Sequence, residues 1–228
     1  MLMDKIYTGF ENLDKSLWIY KGNLVVFAAP QRRESLCFFC SIMENIANKF
    51  KCLFFSMETE RSSRVESLIA RTMDYSKNML VVRKIVDFDE LLITVAEQKL
   101  NNDIDAVFID NFDDLLTCSN CSEKELVLKI KDIAKRLNVA IVINEYVLRY
   151  DNNLYNYKNI AHKEFIKHAD KILLMYNLCK YIRKNGLMKE RIIKDRFRLR
   201  KQKDVDNEIF LWQEFKFDNT SLRFYEIP

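Results

Sequence analysis

The chain has 228 residues, 49% hydrophobic, 12% aromatic and 31% charged, with only 3 Gly and 2 Pro. That composition fills a core and excludes disordered, collagen-like and linker-rich architectures, while the shortage of Gly argues against any site built on a glycine-rich loop. Lys and Arg number 37 against 33 Asp and Glu, and the resulting net charge of +4 permits nucleic-acid binding without announcing it.

Apolar, β-rich runs alternate with helical periodicity, which predicts an α/β fold whose mostly parallel sheet is covered by helices on both faces. Residues 24–28 read as a first buried strand. Leu36, Phe39, Cys40, Met43, Ile46, Ala47 and Phe50 then recur at three- and four-residue steps, as one wide apolar face of a helix. A second strand is expected at 52–56, a helix carrying Val65, Leu68, Ile69 and Thr72, and a short strand near 80–82. Phe88, Leu91, Leu92, Val95 and Leu100 predict another helix. A buried strand at 106–110 ends in an acid, a helix covers 126–137, and a strand 139–144. The Tyr- and Asn-rich stretch 148–161 lacks a period and reads as a long mobile loop. A strand returns at 171–176. Beyond Gly186, the segments 191–200, 208–217 and 221–227 alternate without intervening helix, which predicts an antiparallel extension on the parallel core. No repeat or linker interrupts the pattern, so a single domain over 1–228 is expected.

The 6 Cys are read as reduced thiols. The N-terminal Met-Leu-Met-Asp-Lys has an early acid and no apolar targeting stretch, and the longest apolar run, 24–30, is far short of the ~18–20 residues of a membrane span. The expected location is the cytoplasm, or the nucleoid when DNA is bound, with no membrane partner. Cys37-Phe-Phe-Cys40 and Cys118-Ser-Asn-Cys121 have zinc-ligand spacing, but the first pair lies on an apolar helix face where thiols belong to the core; no metal is expected. His162 and His168 have no Cys, Ser or acid beside them in sequence that forms a nucleophile–base set, so hydrolase chemistry finds no support.

Several runs in this order resemble the RecA-like ATPase core, specifically the C-terminal domain of DnaB-type replicative DNA helicases. Thr8-Gly-Phe-Glu-Asn-Leu-Asp14 is similar to the family's TGF-x-x-LD, Lys21-Gly-Asn-Leu-Val-Val-Phe-Ala-Ala-Pro30 to its first strand, and Leu53-Phe-Phe-Ser-Met-Glu58 to its FFSLE strand. Ala106-Val-Phe-Ile-Asp110 looks like the Walker B strand, and Ile133-Ala-Lys-Arg-Leu-Asn-Val139 like the family's A-K-x-L-x-V passage. The resemblance implies a RecA-like three-layer fold, here without the N-terminal domain of those helicases. It also implies that Glu58 stands where the family polarises the attacking water, and Asp110 where it positions Mg²⁺.

The chain departs from the family at the phosphate loop. Where the family has P-x-x-G-K-T, the aligned run is Pro30-Gln-Arg-Arg-Glu-Ser35, so Arg33 replaces the glycine, Glu34 replaces the lysine and Ser35 keeps the magnesium-side hydroxyl. A working loop needs glycine for its N–H groups to wrap the phosphates and lysine to neutralise the β/γ oxygens. Compensation would have to come from Arg32 or Arg33 reaching back. The Gln-bearing switch of the family is also altered, to Asn144-Glu145.

The segment from Lys180 to Lys203 is strongly basic, and within it Arg196, Arg198 and Arg200 alternate with Phe197 and Leu199, so that on a strand the arginines share one face. Guanidinium groups ~6.5–7 Å apart match a phosphate backbone, with a merely solvated hairpin as the alternative. In the resembled family this hairpin supplies a basic finger that reaches a neighbour's γ-phosphate, which implies relics of that role at Lys194 and Arg196. The loop with Arg149, Tyr155 and Lys158, flanked by Tyr150 and Tyr157, matches the place where such helicases present DNA-binding loops, and its rings suit base stacking.

The leading expectation is a DnaB-like helicase-domain protein with a degenerate phosphate loop. It would not be catalytic, would have no cofactor, and would act in replication or recombination by contacting single-stranded DNA, a replicative helicase or other copies of itself. A divergent ATP-dependent DNA helicase using ATP and Mg²⁺ through Glu58, Asp110 and Ser35 stays open, as does a purely structural fragment.

Overall fold

Alternation along the strands decides the layers. The computed structural model describes residues 5–30, 33–57, 78–84, 86–147, 159–184, 187–204 and 212–227, with backbone alone at 16, 178–184, 187–195 and 202–204. Strands β1 (Lys5–Ile6) and β2 (Ile19–Tyr20) pair antiparallel on either side of a short helix α1 (Glu11–Ser16). The main sheet comprises β3 (Leu24–Ala29), β4 (Cys52–Phe55), β5 (Met79–Val82), β6 (Ala106–Ile109), β7 (Ala140–Tyr146), β8 (Lys171–Lys184), β9 (Leu187–Asp204), β10 (Trp212–Asp218) and β11 (Arg223–Glu226). Their order is β11-β10-β9-β8-β3-β7-β6-β4-β5. The pairings from β5 across to β8 are parallel, and those from β8 out to β11 are antiparallel.

Odd and even residues of the central strands face opposite cores. Val25, Phe27, Phe54, Phe108 and Val142 meet helix α2 (Arg33–Ala47), whereas Val26, Leu53, Val107, Ile141 and Ile143 meet the other face. There lie α3 (Phe88–Asn102), α4 (Phe112–Cys118), α5 (Glu123–Leu137) and α6 (Glu164–His168). Strands buried on both sides need no polar face, which explains why 24–29 reads as a continuous apolar run.

Helix α2 is buried nearly all round, a wider face than its three- and four-residue steps predict. The reason is a second cover: Phe38 stacks on Phe10 before α1 and meets Phe215 of β10 and Phe224 of β11 edge-on. The C-terminal strands are tied down at the same place, because the Glu226 carboxylate accepts from the backbone N–H groups of Asn12 at 3.0 Å and Leu13 at 2.9 Å. Those N–H groups open α1 and have no partner within the helix, so a carboxylate from a distant strand serves as their cap.

The helix ends follow local signals. Asp87 accepts from Glu90 N, Asn111 from Asp114 N and Ser122 from Glu125 N, starting α3, α4 and α5. Asp103 and Asn138 close α3 and α5 in the left-handed conformation, which short polar side chains tolerate. Helix α3 departs from its predicted face: Phe88, Leu91 and Val95 are buried, but Leu92 is 36% and Leu100 85% exposed. At 100° per residue Leu100 lies about 120° around from Phe88, outside the stripe that meets the sheet.

Strand β8 runs to Lys184, well past the expected 176, because β9 pairs with it along nearly its full length. The expected helix through Val65, Leu68, Ile69 and Thr72 lies outside the described residues. So do 148–158 of the expected loop, whose far end is fixed by a bridge from Val147 to Ile160 and by Ala161 N donating to Tyr146 O at 2.9 Å.

Gly9 has φ +80°, and a Cβ placed there would sit 2.6 Å from Cβ of Asn45 on α2. The turn it makes lets Asp14 accept from Thr8 N at 2.7 Å, Thr8 Oγ1 at 2.8 Å and Gly9 N at 3.0 Å. Gly9→Ala is expected to cost about 2 kcal/mol from left-handed strain and the enforced shift of α2. A urea midpoint unchanged from wild type would refute this.

Candidate functional site

The carboxyl ends of the parallel strands lie level: Ala29 pairs with Tyr146, Ile109 with Ile143 and Phe55 with Ile109. Ligands of open parallel sheets bind at this edge, and the residues singled out from the sequence converge on it.

Strand β3 ends at Ala29, and α2 starts at Arg33. Ser35 is buried, and its hydroxyl donates to the Pro30 carbonyl at 2.7 Å. Arg33 is exposed and does not reach back over the loop, which corrects the compensation considered above. Its Nη2 donates to Asn219 Oδ1 at 2.6 Å, and the guanidinium lies 5.9 Å from the Phe217 ring centroid. Those partners belong to the end of β10 and the turn after it, so the arginine braces the C-terminal hairpin. Glu34 is half-buried in the first turn of α2, where the helix dipole favours a carboxylate. A triphosphate would need that same positive end. These residues do not fit ATP and Mg²⁺: the helix N-terminus already carries an anion, the Ser35 proton is committed to Pro30, and the one described arginine points elsewhere. Arg32 and Glu58 lie outside the described residues.

Asp110 follows β6 and is 4% exposed. Its Oδ1 accepts from Met57 N at 2.9 Å, and its carbonyl accepts from Asn144 Nδ2 at 3.4 Å. The acid thus joins the ends of β4, β6 and β7. Asn144 Oδ1, buried beside it, has no hydrogen-bond partner among the described residues.

The altered switch position holds a group that the sequence does not announce. Glu145 is 2% exposed, and both its carboxylate oxygens lie 3.1 Å from His162 Nδ1. His162 Nε2 faces Asp113 Oδ1 at 3.2 Å, and its ring packs edge-on against Phe112 at 4.7 Å. Burial raises the pKa of Glu145 and outweighs the hydrogen bond and charge of His162. For His162, burial pulls the pKa down, but the hydrogen bond and charge of Glu145, with Asp113 and Glu123, outweigh it and the net shift is upward. The pair therefore keeps a proton to higher pH than separated groups would. The expectation that His162 lacks an acid is corrected here, since it has two. Both contacts are carboxylates, so the arrangement holds a charge and activates no nucleophile. Sequence reasoning misses it because Glu145, Asp113 and His162 come from three segments that only the β6–β7 pairing and the return at Ile160 bring together.

On β9, Phe197 and Leu199 face the α2 core and the arginines share the opposite face, as the alternation predicts. Arg198 is engaged: Nη2 donates to Glu214 Oε1 at 2.5 Å and the guanidinium lies 4.5 Å from the Trp212 ring centroid. Arg200 is exposed and Arg196 half-buried. Lys194 lies on β9 with only its backbone described, and Arg149, Tyr155 and Lys158 lie outside the described residues. The phosphate-loop residues and the β9 arginines do not form one cluster; Arg33, through Asn219, is the link between the two regions.

Cys37 and Cys40 are buried in the core against α2, and burial pushes the Cys37 thiol up to about 12. Among the described residues no three His, Cys, Asp or Glu side chains are grouped as a metal would require, and no helix is long and apolar enough to cross a membrane.

No family model and no curated protein sequence matches the chain. Solved structures do. An ATPase domain of a DnaB-like helicase superposes with TM-score 0.74 at 17% identity, over 98% of this chain and 91% of that one. A DnaB-like replicative helicase, solved in a study of its interactions with primase, gives TM-score 0.74 at 15% identity; the match covers 98% of this chain but only 62% of the helicase. A KaiC-like protein from the hyperthermophilic archaeon Pyrococcus horikoshii OT3 gives 0.68 at 15% identity, over 99% and 100%. The chain has the RecA-like fold of DnaB-type helicase ATPase domains, with its mostly parallel sheet and C-terminal antiparallel strands.

Proposed function

We propose that this is a replication-type helicase domain that has given up nucleotide turnover and works by binding, with single-stranded DNA, a replicative helicase or further copies of itself as partners. The observation that carries the reading is Arg33-Glu34 at the first turn of α2, with Arg33 held by Asn219 and Glu34 occupying the dipole end that a phosphate needs. The retained Asp110 has a structural task that accounts for it, since its carboxylate holds the backbone at Met57. The likeness to helicase ATPase domains supports the replication setting.

Equilibrium titration with ATP and Mg²⁺ tests the reading. No saturable heat or fluorescence change is expected at micromolar nucleotide. Micromolar affinity, with DNA-stimulated turnover lost on Glu58→Gln, would overturn it in favour of the divergent ATPase.

A further inference from the structure

The face of β9, β10 and β11 turned away from α2 is not covered by the helices that cover the rest of that side. Among the described residues, the core formed with α3, α4, α5 and α6 takes side chains from β3, β4, β6, β7 and β8 and none from β9, β10 or β11. What the bare face presents follows from the register. Arg200 pairs with Trp212, Arg198 with Glu214 and Arg196 with Lys216, and Lys216 pairs onward with Tyr225. Because side chains of paired residues point the same way, these form cross-strand rows on one surface, with Phe197, Phe215 and Phe224 on the other.

Two properties of that surface point to one class of ligand. Trp212 is 50% and Tyr225 51% exposed, although large rings are normally buried. The rings are interleaved with cations: Arg196, Arg200 and Lys216 stand beside them, and the one carboxylate between the rows, Glu214, is taken up by Arg198. Asp218 lies at the far end, with its carboxylate accepting from Thr220 N and Ser221 Oγ. The Arg198 guanidinium also lies against the Trp212 ring, so the indole is held in place before any ligand arrives. The two rings are four residues and one strand apart, roughly 14 Å.

We propose that this face binds single-stranded nucleic acid, with bases stacked on Trp212 and Tyr225 and the phosphate backbone held by Arg196, Arg200 and Lys216. A duplex offers neither the free base faces that rings need nor a flat path for them, whereas a single strand offers both. The inference rests on the reading of the chain as a DNA-binding factor and names the surface that does the binding, distinct from the loop that carries Arg149, Tyr155 and Lys158.

The test uses a fluorescein-labelled thymidine oligonucleotide of about 12 nucleotides, read by anisotropy across a salt series, with the full chain. The chain has 2 Trp, so in a Trp18→Phe background the emission reports Trp212 alone and is expected to be quenched on binding. Trp212→Ala and Tyr225→Ala are each expected to weaken binding about 5- to 100-fold, and Trp212→Phe to retain most of it. Lys216→Ala is expected to make the salt dependence shallower by about 0.7 in slope. Circular dichroism and urea midpoints check that the variants fold. Unaltered binding in both alanine variants, or equal affinity for a duplex of the same length, overturns this inference and leaves the DNA-binding reading standing. No binding of the oligonucleotide even at low salt overturns both.

Discussion

Replacing Arg33 by Gly and Glu34 by Lys in the same chain is expected to raise affinity for ATP with Mg²⁺ by at least about 100-fold over wild type. Unit charges ~4 Å apart interact by ~4 kcal/mol at an effective dielectric near 20. Glu34 is half-exposed, so water screens much of this. If about a third survives from each of the lost repulsion and the gained attraction, the swing is still about 2.7 kcal/mol, or roughly 100-fold. The Gly adds the freedom that lets N–H groups turn toward phosphates, while releasing Asn219 from the Arg33 guanidinium and placing Gly in the first turn of α2 costs about 1 kcal/mol of stability. Glu34→Ala alone removes the repulsion only, and a gain near tenfold is expected. Isothermal titration of the three chains checks the series. A double variant that binds no better than wild type would show that the barrier to nucleotide lies elsewhere on the strand edge.

His162→Ala is expected to lower stability by about 3–5 kcal/mol, measured by urea denaturation near neutral pH. The loss comes less from the histidine itself than from what it leaves behind, a carboxylate 2% exposed at Glu145 with its imidazole partner gone. Combining His162→Ala with Glu145→Gln should recover much of the loss, because the neutral amide is far cheaper to keep buried. The pair also sets a pH dependence. Both groups bind their proton more tightly in the folded protein, with values above the ordinary 4.5 of the carboxyl and 6.5 of the imidazole. The stabilisation is therefore complete below those ordinary values and is lost as pH rises through the folded ones. Stability should fall between about pH 6 and about pH 8, and Glu145→Gln should flatten that slope. A slope identical in wild type and Glu145→Gln would place the titration elsewhere.

The phosphate loop and the strand-end histidine were not equally legible in the sequence. Pro30-Gln-Arg-Arg-Glu-Ser35 could be read as a defective loop because the loop is local: which residue follows which decides whether phosphate can be wrapped. The layers were legible for a similar reason, since a parallel strand buried on both faces writes a continuous apolar run, as 24–29 and 106–109 do. The edges of such patterns were less so. Leu92 and Leu100 share the helical stretch with Phe88 and Val95 but lie at the margin of the stripe or off it, and how wide that stripe is depends on what packs against it. Helix α2 shows the opposite error, buried all round because Phe10, Phe215 and Phe224 close over Phe38 from segments far away in the chain.

By itself the sequence determined the alternation of strands and helices, the capped helix starts at Asp87 and Ser122, the two-sided arginine strand at 196–200 and the loss of glycine and lysine at positions 33 and 34. All of these depend on neighbours within a few residues, where backbone geometry and side-chain period act directly. Only the tertiary structure decided that Arg33 braces Asn219 instead of reaching over the loop, that His162 sits between Glu145 and Asp113, and that Trp212 and Tyr225 share a bare face with Arg196, Arg200 and Lys216. Each is a meeting of segments set by strand order and register, and such meetings leave no period in the chain because the folding of the whole sheet creates them.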